Sequence, residues 1–375
     1  MRLIASLFLF TAFISNAVQQ AYIPPTDTTG VVRRYYIAAE EVEWDYAPSG
    51  YDLYQNQPLD NPKTASWTTK TDYTIGTKYL KALYRQYTDA TFKTPVERPA
   101  WMGYLGPIFR AEVGDKIEVN FWNRAQYNFS VHPHGVLYTM DNEGALYEGS
   151  KTGSSVPPNG RYKYTWSVPE RSGPGPADLD SMVWGYHSHV SDHKDLYAGL
   201  TGAIIIYKKG LLDSEQDKHK NLNKEFVMSF LVVNENQSQY FARNVKLAGL
   251  TFSVLSSDRV AFEESNRKRA INGRLFNNLD GIDVTVGDRV RFYLLGWGSE
   301  VDLHTVVFHG NTLLYEERRV DTVSWIELLP ATFRTVDMNP DNVGKWLIHC
   351  GTENHAENGM SAYYTVHERE IPAEG

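Results

Sequence analysis

An internal repeat limits what this chain can fold into more than any other feature of its sequence. Three kinds of segment recur in the same order: a strand–turn–strand unit built around Gly-Asp, a His-Gly pair, and a tetrapeptide with a central histidine. The repeated pairs are 107–121 with 281–292, His134-Gly135 with His309-Gly310, and 186–189 with 348–351. Similar segments in one order indicate a duplicated unit. Short, turn-bounded strands without long helical periodicity predict an all-β chain of two Greek-key sandwiches or barrels.

Changes in composition along the chain suggest where the two units meet. Residues 203–207 read as an apolar strand, and 226–233 read as the apolar strand that opens the second unit. Residues 47–100 are rich in turn-forming residues and are predicted to be long loops with short strands. The predicted division is a first domain over 18–207, a charged linker over 208–225 and a second domain over 226–375.

The N-terminal segment predicts secretion. It starts with Met1-Arg2, continues as an apolar run to Phe13 and ends in small residues at Ala17. This layout is typical of a signal peptide, here residues 1–17. A membrane anchor is the alternative, but the run is too short to span a bilayer, and no later stretch is long enough. We therefore expect a secreted, extracellular protein without a membrane span.

Charge and sequons narrow the expected partners and modifications. The net charge is -8, which argues against a nucleic-acid partner because such proteins carry clustered Lys and Arg. Asn128-Phe-Ser and Asn236-Gln-Ser match the acceptor pattern for N-glycosylation. The protein is therefore predicted to be a glycoprotein modified at Asn128 and Asn236.

The single cysteine lies in a spacing typical of a copper site. Cys350 is followed at steps of five residues by His355 and Met360. A thiolate, an imidazole and a thioether on one short loop supply three of the four ligands of a type 1 (blue) copper. No disulfide can form within a chain that has one cysteine, so the alternatives are a free reactive thiol or a buried core cysteine.

Strand parity predicts which way each histidine faces. His132 and His134, like His187 and His189, are two residues apart, so each pair lies on one face of a strand. His304 and His309 are five apart and are predicted to face opposite sides. His304 can then join the interior copper, while His309 faces outward. Adjacent in sequence, Cys350 and His349 are likewise expected to face opposite sides.

The two units are predicted to be complementary. The repeat places Phe129, Ser188 and Leu200 of the first unit where the second has His304, Cys350 and Met360. The first unit should therefore lack the interior copper but present four outward histidines. At two of those four places the second unit has Val307 and Gly351. The remaining histidines occur in polar segments and are predicted to be solvated surface residues: His193, His219 and His367.

These motifs together resemble those of the multicopper oxidases of the ceruloplasmin and hephaestin group, which are related to the A domains of coagulation factors V and VIII. The segments that carry the resemblance are 106–115, 132–135, 143–147, 186–189, 270–274 and 302–306. It extends from about Arg33 to Val366. It implies two cupredoxin-like (plastocyanin-like) Greek-key β-sandwich domains, where full-length relatives have six.

The resemblance implies copper as cofactor and assigns its ligands. The type 1 copper would be bound by His304, Cys350, His355 and Met360. The family's trinuclear (type 2 and type 3) cluster uses eight histidines, of which six are present: His132, His134, His187, His189, His309 and His349. Val307 would leave the type 2 copper with one histidine, and Gly351 would remove one ligand from a type 3 copper. Both replacements weigh against four-electron reduction of oxygen.

The resemblance also implies an acidic iron site beside the type 1 copper. Glu264 and Glu300 are similar to two of its carboxylates. Arg269 stands where the family has a histidine, and Asn354 where it has an aspartate. A cation at Arg269 repels Fe(II). The iron site is therefore expected to retain two of its ligands and to lack the other two.

The sequence therefore predicts a secreted multicopper oxidoreductase, similar to ferroxidases. Electrons from a small reductant, either Fe(II) or an organic molecule, would enter at the type 1 copper and pass through Cys350 and His349 to an incomplete trinuclear site, with molecular oxygen as acceptor. A homotrimer would reproduce the six-domain ring of the family. The alternatives are a non-catalytic copper-binding module, like the coagulation A domains, and a one-electron carrier.

Overall fold

The computed structural model describes residues 30–251, 258–315 and 325–370, together with the backbone of 318–320. The predicted signal peptide at 1–17 lies outside these residues. Up to residue 207 the strands are β1 (Val32–Asp45), β2 (Tyr51–Asp52), β3 (Gln57–Pro58), β4 (Lys78–Tyr87), β5 (Ile108–Glu112), β6 (Lys116–Asn123), β7 (His132–Pro133), β8 (Arg161–Ser167), β9 (Ser181–His187) and β10 (Thr201–Tyr207). We call this part the first unit.

The second unit follows a short hairpin formed by β11 (Leu212–Asp213) and β12 (Lys218–His219). Its strands are β13 (Lys224–Asn234), β14 (Arg267–Ile271), β15 (Asp283–Thr285), β16 (Val290–Gly296), β17 (His304–Phe308), β18 (Leu313–Tyr315), β19 (Arg318–Val320), β20 (Ile326–Leu328), β21 (Phe333–Met338), β22 (Gly344–Cys350) and β23 (Ser361–His367).

The described helices are all short, as the missing helical periodicity predicts. The α-helices are α1 (Ala65–Thr68), α2 (Asp192–Ala198), α3 (Phe241–Leu247) and α4 (Arg259–Ser265). Single 3₁₀ turns cover Ala100–Met102, Met140–Asn142, Thr152–Ser154, Glu170–Ser172 and Glu235–Gln237. The all-β prediction is therefore confirmed.

The duplication seen in the sequence is also a duplication of topology. Each unit has two facing sheets, ordered β4-β1-β6-β8 and β5-β10-β9-β7 in the first, and β14-β13-β16-β21-β18-β19 and β15-β23-β22-β17-β20 in the second. Both units start with a parallel pair, β1 with β6 and β13 with β16. Both end with an antiparallel pair, β9 with β10 and β22 with β23. The fold is two cupredoxin-like β-sandwiches.

Three large apolar cores hold the described chain together, beside a small cluster of Ala38, Tyr87 and Phe92. One lies inside the first unit around Trp166, and another inside the second around Phe292. The third joins the units and includes Val183 and Ile205 of the first with Tyr293 and Trp297 of the second. Because this third core is continuous with both units, one sheet of the first unit is fixed against β16 and β21 of the second.

Two local predictions need correction. Residues 47–100 contain more regular structure than predicted, because β4 is ten residues long and pairs with β1 along its whole length. His219 is not a solvated residue: it is fully buried, with Nε2 3.1 Å from Asp180 Oδ1. The hairpin within 208–225 packs the His219 ring against Tyr207 of the first unit. The polarity of the segment could not indicate this burial. His193 and His367 are exposed, as predicted.

Candidate copper centres

One cluster of metal-binding side chains lies inside the second unit. His304 begins β17, Cys350 ends β22, and His355 lies in the loop that follows. The Cys350 Sγ is 3.6 Å from His304 Nδ1 and 3.5 Å from His355 Nδ1. All three residues are buried, and Met360 is buried in the core that includes Cys350. The structure thus brings together three of the residues predicted to bind an interior copper, His304, Cys350 and His355, and places Met360 in the same core.

The loop after Cys350 folds back so that His355 and Met360 approach the thiol. The Cys350 amide donates to the Met360 carbonyl at 3.1 Å, and the Met360 amide donates to the His355 carbonyl at 2.8 Å. Asn354 has a φ of 68° and Gly359 a φ of 116°, a backbone region that Asn and Gly tolerate best. These two turns fold the loop so that His355 approaches the thiol and the Met360 backbone pairs with Cys350.

The surroundings of Cys350 favour its thiolate form. Burial alone would raise the pKa of the thiol, but hydrogen bonds with His304, His355 and Thr352 outweigh burial and lower the pKa to about 5. The thiolate is the form of cysteine that binds metals. For His304, burial lowers the pKa while Asp302 and Cys350 raise it, and the net shift is upward.

A buried carboxylate behind His304 was missed by the sequence reasoning. Asp302 Oδ1 lies 3.2 Å from His304 Nε2 and accepts a hydrogen bond from the Val232 amide at 2.6 Å. The Ser299 amide donates to the second oxygen at 2.8 Å. Such a carboxylate fixes the ring so that the other nitrogen faces the metal. The signal was present, because Asp302 and His304 are two residues apart and share one face of an extended segment.

The interior cluster fits a single ion. Metal bonds of about 2.0 Å to nitrogen and 2.3 Å to sulfur, at near-tetrahedral angles, separate the two donors by about 3.5 Å. The measured separations of Cys350 Sγ from the two imidazoles, 3.5 and 3.6 Å, agree with that value. A thiolate with two imidazoles and a nearby thioether is the donor set of blue copper sites. His304, Cys350, His355 and Met360 would hold the ion.

A second pair of imidazoles faces away from the interior cluster, as strand parity predicted. His309 and His349 approach with their Nε2 atoms 3.0 Å apart. His349 Nδ1 lies 3.0 Å from the carbonyl of Cys350, so Nε2 is the ring nitrogen that faces His309. Burial, with a smaller contribution from His349, lowers the pKa of His309. Cys350 and His349 therefore belong to different sites although one peptide bond joins them.

The four histidines of the first unit form a third cluster. Potential ligand atoms of His132, His134 and His187 lie within 4.8 Å of one another. The His189 ring is 5.1 Å from that of His132. His132 Nδ1 lies 2.7 Å from the Glu143 carbonyl. That contact engages Nδ1 and leaves Nε2 for a ligand. The grouping of the rings agrees with the parity of each His-x-His pair, which predicts that both side chains share one face.

Burial favours the neutral form of the imidazoles in this cluster. Burial, and then repulsion from His132 and His189, lowers the pKa of His134 to about 4. The pKa of His187 is lowered in the same direction, mainly by burial. The Nε2 of His134 is buried without a hydrogen-bond partner. An unprotonated imidazole with an unused ring nitrogen is a suitable metal ligand.

The structure does not bring the six outward histidines to one place within a chain. Within the described residues, His309 and His349 make ring contacts with each other and, for His349, with Trp325. His134 and His187 of the first unit instead contact Trp297 and Phe333 of the second unit. A chain thus carries two separate parts of the predicted trinuclear site.

Strand register confirms where the second unit lacks imidazoles. His132 pairs with His187 in the first unit, and Val307 pairs with His349 at the matching place in the second. The first unit in turn lacks the interior ligands, because Phe129, Ser188 and Leu200 are fully buried at the matching positions and supply no imidazole, thiol or thioether. The predicted difference between the units therefore agrees with their backbone alignment.

The predicted iron-binding carboxylate Glu264 is already engaged. Its Oε1 accepts from Arg269 Nη2 at 2.7 Å and from Trp67 Nε1 at 3.4 Å. Arg267 Nη1 is 3.8 Å from its other oxygen. Glu300 is exposed. Because two cations already neutralise Glu264, an iron site there stays a prediction that the geometry does not favour.

The two predicted glycosylation sites differ in access. Asn128 is exposed, and its amide donates to Ser155 Oγ at 2.9 Å. Asn236 is half-buried, and its amide donates to the Glu263 carbonyl at 2.7 Å and to Asn234 at 2.9 Å. A glycan would displace the Asn236 bonds. Modification of both stays a prediction, and exposure favours Asn128.

The sites and the fold together define a class of copper protein, and comparison with known sequences identifies the family. Two family models, both described as multicopper oxidase, match residues 86–210 and 249–370. The chain belongs to the multicopper oxidase family. Membership implies copper binding and confirms the resemblance inferred from the motifs.

Curated relatives place the chain within that family. It is 39% identical over 342 residues to ferroxidase HEPHL1 of Mus musculus, covering 90% of this chain and 29% of the relative. It is 39% identical over 349 residues to hephaestin of Homo sapiens (91% and 30%). Ceruloplasmin of Homo sapiens is 40% identical over 351 residues (92% and 31%). The chain therefore spans less than a third of the length of these relatives.

Solved structures support the fold at lower identity. A multicopper oxidase crystal structure aligns with a TM-score of 0.57 and 16% identity over 89% of each chain. The blue copper oxidase from Nitrosomonas europaea aligns with a TM-score of 0.55 and 15% identity, covering 90% of this chain and 86% of its own. No helix of the described residues is long and apolar enough to cross a membrane.

Proposed function

We propose that the protein is a secreted copper oxidoreductase with a type 1 copper in its second unit. The observation that carries the proposal is the convergence of Cys350 Sγ with His304 and His355 at 3.6 and 3.5 Å. A copper ion held there would supply reversible one-electron chemistry. The buried thiolate, the Asp302 carboxylate and the surrounding core exclude water and fix the ligands in place.

Cys350 and His349 are proposed to connect the interior site with the outward one. They are adjacent at the end of β22, and their side chains face opposite sides of it. The His349 ring nitrogen also lies 3.0 Å from the Cys350 carbonyl. This arrangement supplies both a covalent and a hydrogen-bonded route of one residue's length. We assign Cys350 and His349 the central role in electron transfer.

A second copy of the chain is proposed to complete the outward site. One chain carries four histidines on its first unit and two on its second, in separate places. Exposed apolar residues rim both parts, Leu146 and Tyr147 near the first and Leu303 and Trp325 near the second. Head-to-tail contact of different surfaces closes into a ring when the rotation between neighbouring copies returns to the first copy. Three copies would place six sandwiches in that ring, which makes a homotrimer the proposed assembly.

The reductant is proposed to be Fe(II) or a small organic molecule. One relative is named a ferroxidase, which favours Fe(II). The pairing of Glu264 with Arg269 weighs against it, because the cation repels Fe(II) and already occupies the carboxylate. An organic donor needs no such carboxylate. Comparing the two donors on one preparation decides between them.

Oxygen consumption by the purified secreted protein tests the proposal. We expect a blue protein that takes up oxygen when given Fe(II) or an organic reductant, with Cys350→Ser as an inactive control. A blue protein that consumes no oxygen with any tested reductant would contradict oxidase activity.

A second candidate function is a non-catalytic copper-binding module or a one-electron carrier. Val307 and Gly351, at two of the expected ligand positions, favour it. One copper per chain, without a type 2 signal in electron spin resonance, would support this candidate. A copper content close to four per chain would exclude it.

A further inference from the structure

The surface around Gly351 has no space for a side chain. A Cβ atom added there would lie 1.2 Å from Trp325 Cζ3 and 2.2 Å from its Cε3. The indole therefore rests directly on the Gly351 backbone. Real Cβ contacts are never so short, so any larger residue requires the indole to move.

The strands place Trp325 on the outward face of the second unit. Ile326 and Leu328 of β20 point inward and are buried, so the alternation of a strand directs Trp325 outward. Ile326 pairs with Val306, and continuing this register by one residue puts Trp325 beside Val307. The indole is 49% exposed, and its ring centre is 6.4 Å from that of His349.

Both non-histidine positions of the outward face thus adjoin one indole. Val307 pairs with His349, and the Gly351 amide donates to the Thr305 carbonyl at 2.7 Å, two residues further along the same pair of strands. Each replaces an imidazole that the repeat predicts. Each is smaller than histidine, and Trp325 takes up the space so released.

We propose that Trp325 fills the ligand face vacated by Val307 and Gly351, so that the second unit presents two imidazoles and an indole instead of four imidazoles. This inference rests on the proposed function and specifies what its outward site can bind. The residues present do not fit an eight-histidine cluster. The two positions without an imidazole, Val307 and Gly351, then form a closed, packed surface and not an open coordination position.

Stability measurements test the packing without reference to copper. We expect Gly351→Ala to lower the Tm of the metal-free chain by about 2–6 °C, since a methyl group must displace the indole. In the background of Trp325→Ala the same Gly351→Ala change is expected to shift the Tm by less than about 1 °C. Equal shifts in both backgrounds would overturn the proposal, because the two positions would not be coupled.

Copper content tests the functional consequence. We expect Val307→His with Gly351→His to add no copper while Trp325 is present, and the triple variant that also carries Trp325→Ala to add copper. Trp325→Ala alone, measured in parallel, gives the baseline for the triple variant, because Trp325 also rims the proposed contact between copies. Equal copper gain with and without Trp325 would overturn the proposal, as would a blue triple variant with no gain.

The two experiments separate this inference from the proposed function. The blue absorption of each variant reports whether the interior site is loaded and the second unit is folded. A wild-type protein without blue colour would contradict the proposed function, yet the Tm comparison would still decide whether Trp325 occupies the space over Gly351.

Discussion

The loop after Ser188 in the first unit and the loop after Cys350 in the second have the same backbone contacts and different chemistry. The Ser188 amide donates to the Leu200 carbonyl at 3.1 Å, as the Cys350 amide does to Met360 at 3.1 Å. The Leu200 amide donates to the Asp195 carbonyl at 3.3 Å, as the Met360 amide does to His355 at 2.8 Å. Asp195 therefore occupies the place of His355.

The side chains of the first-unit loop satisfy one another. Ser188 Oγ donates to Asp195 Oδ2 at 2.7 Å, and the amides of Val190 and Ser191 donate to the same oxygen at 3.1 and 3.0 Å. In the second-unit loop the thiolate and imidazoles meet at one point instead. The backbone frame alone thus does not make a copper site. A few side chains at fixed places decide whether this backbone forms a copper site.

Replacing the thiol should have the largest effect on this comparison. Cys350→Ser converts the second loop to the serine of the first and removes the only soft anionic ligand. We expect complete loss of the blue absorption and of one copper per chain, measured by visible spectroscopy and metal analysis. Ser188→Ala serves as the matched control and should leave both unchanged. Retained blue colour in Cys350→Ser would show that the copper lies elsewhere.

Transferring the ligands tests whether the shared frame is sufficient. Phe129→His, Ser188→Cys, Asp195→His and Leu200→Met would place the full ligand set in the first unit. We expect a second blue copper and about twice the absorption per chain. The longer loop, twelve residues from Ser188 to Leu200 against ten from Cys350 to Met360, is the main obstacle. A folded variant with one copper would show that loop length, besides side chains, distinguishes the units.

Removing the charge behind His304 should weaken the second-unit site without abolishing it. Asp302→Asn keeps an oxygen for the Val232 amide but loses the negative charge that orients the ring. Loss of such a partner typically lowers metal affinity about 10–100-fold. Competition with a chelator measures the change, and Glu300→Gln, an exposed acid nearby in sequence, is the control. Unchanged affinity would assign Asp302 a purely structural role.

The smallest effect is expected in the first-unit loop and depends on pH. Burial raises the pKa of Asp195 above its ordinary value near 3.8, and hydrogen bonds from Ser191, Ser188 and Val190 only partly offset this. An acid with a raised folded-state pKa costs stability as pH rises from about 3.8 through the raised pKa. Asp195→Asn lacks this cost, so the wild type should lose stability relative to the variant over that range.

Urea unfolding of the wild type and Asp195→Asn at several pH values between 4 and 7 measures this difference. The sign is the informative quantity, because both chains share every other titrating group. A wild type that gains stability relative to the variant as pH rises would mean that the hydrogen bonds to Asp195 outweigh its burial.

The features that could be predicted from sequence are those that follow from local spacing. The loop from Cys350 to Met360 and the opposite facing of His304 and His309 depend on turn length and strand parity, which the sequence contains directly. The equivalence of Phe129 with His304 follows from the repeat. The convergence of His304, Cys350 and His355 was therefore predictable from the sequence, whereas the Asp302 carboxylate behind His304 was missed.

The features that were missed depend on contacts between distant segments. His219 is buried beside Asp180, which lies 39 residues earlier in the chain, whereas polarity alone suggested a surface residue. Trp325 covers Gly351 through the pairing of β20 with β17, a register that no local pattern contains. Arg269 neutralises Glu264 across the end of α4. Each of these depends on tertiary packing.

Copper analysis of the purified wild-type protein, with its visible and spin-resonance spectra, tests the central claim most directly. The account predicts one blue type 1 copper per chain, held by His304, Cys350, His355 and Met360, and a total below four because Val307 and Gly351 supply no ligand. A colourless protein with Cys350 intact would contradict the interior site. Four coppers per chain would contradict the incomplete outward site.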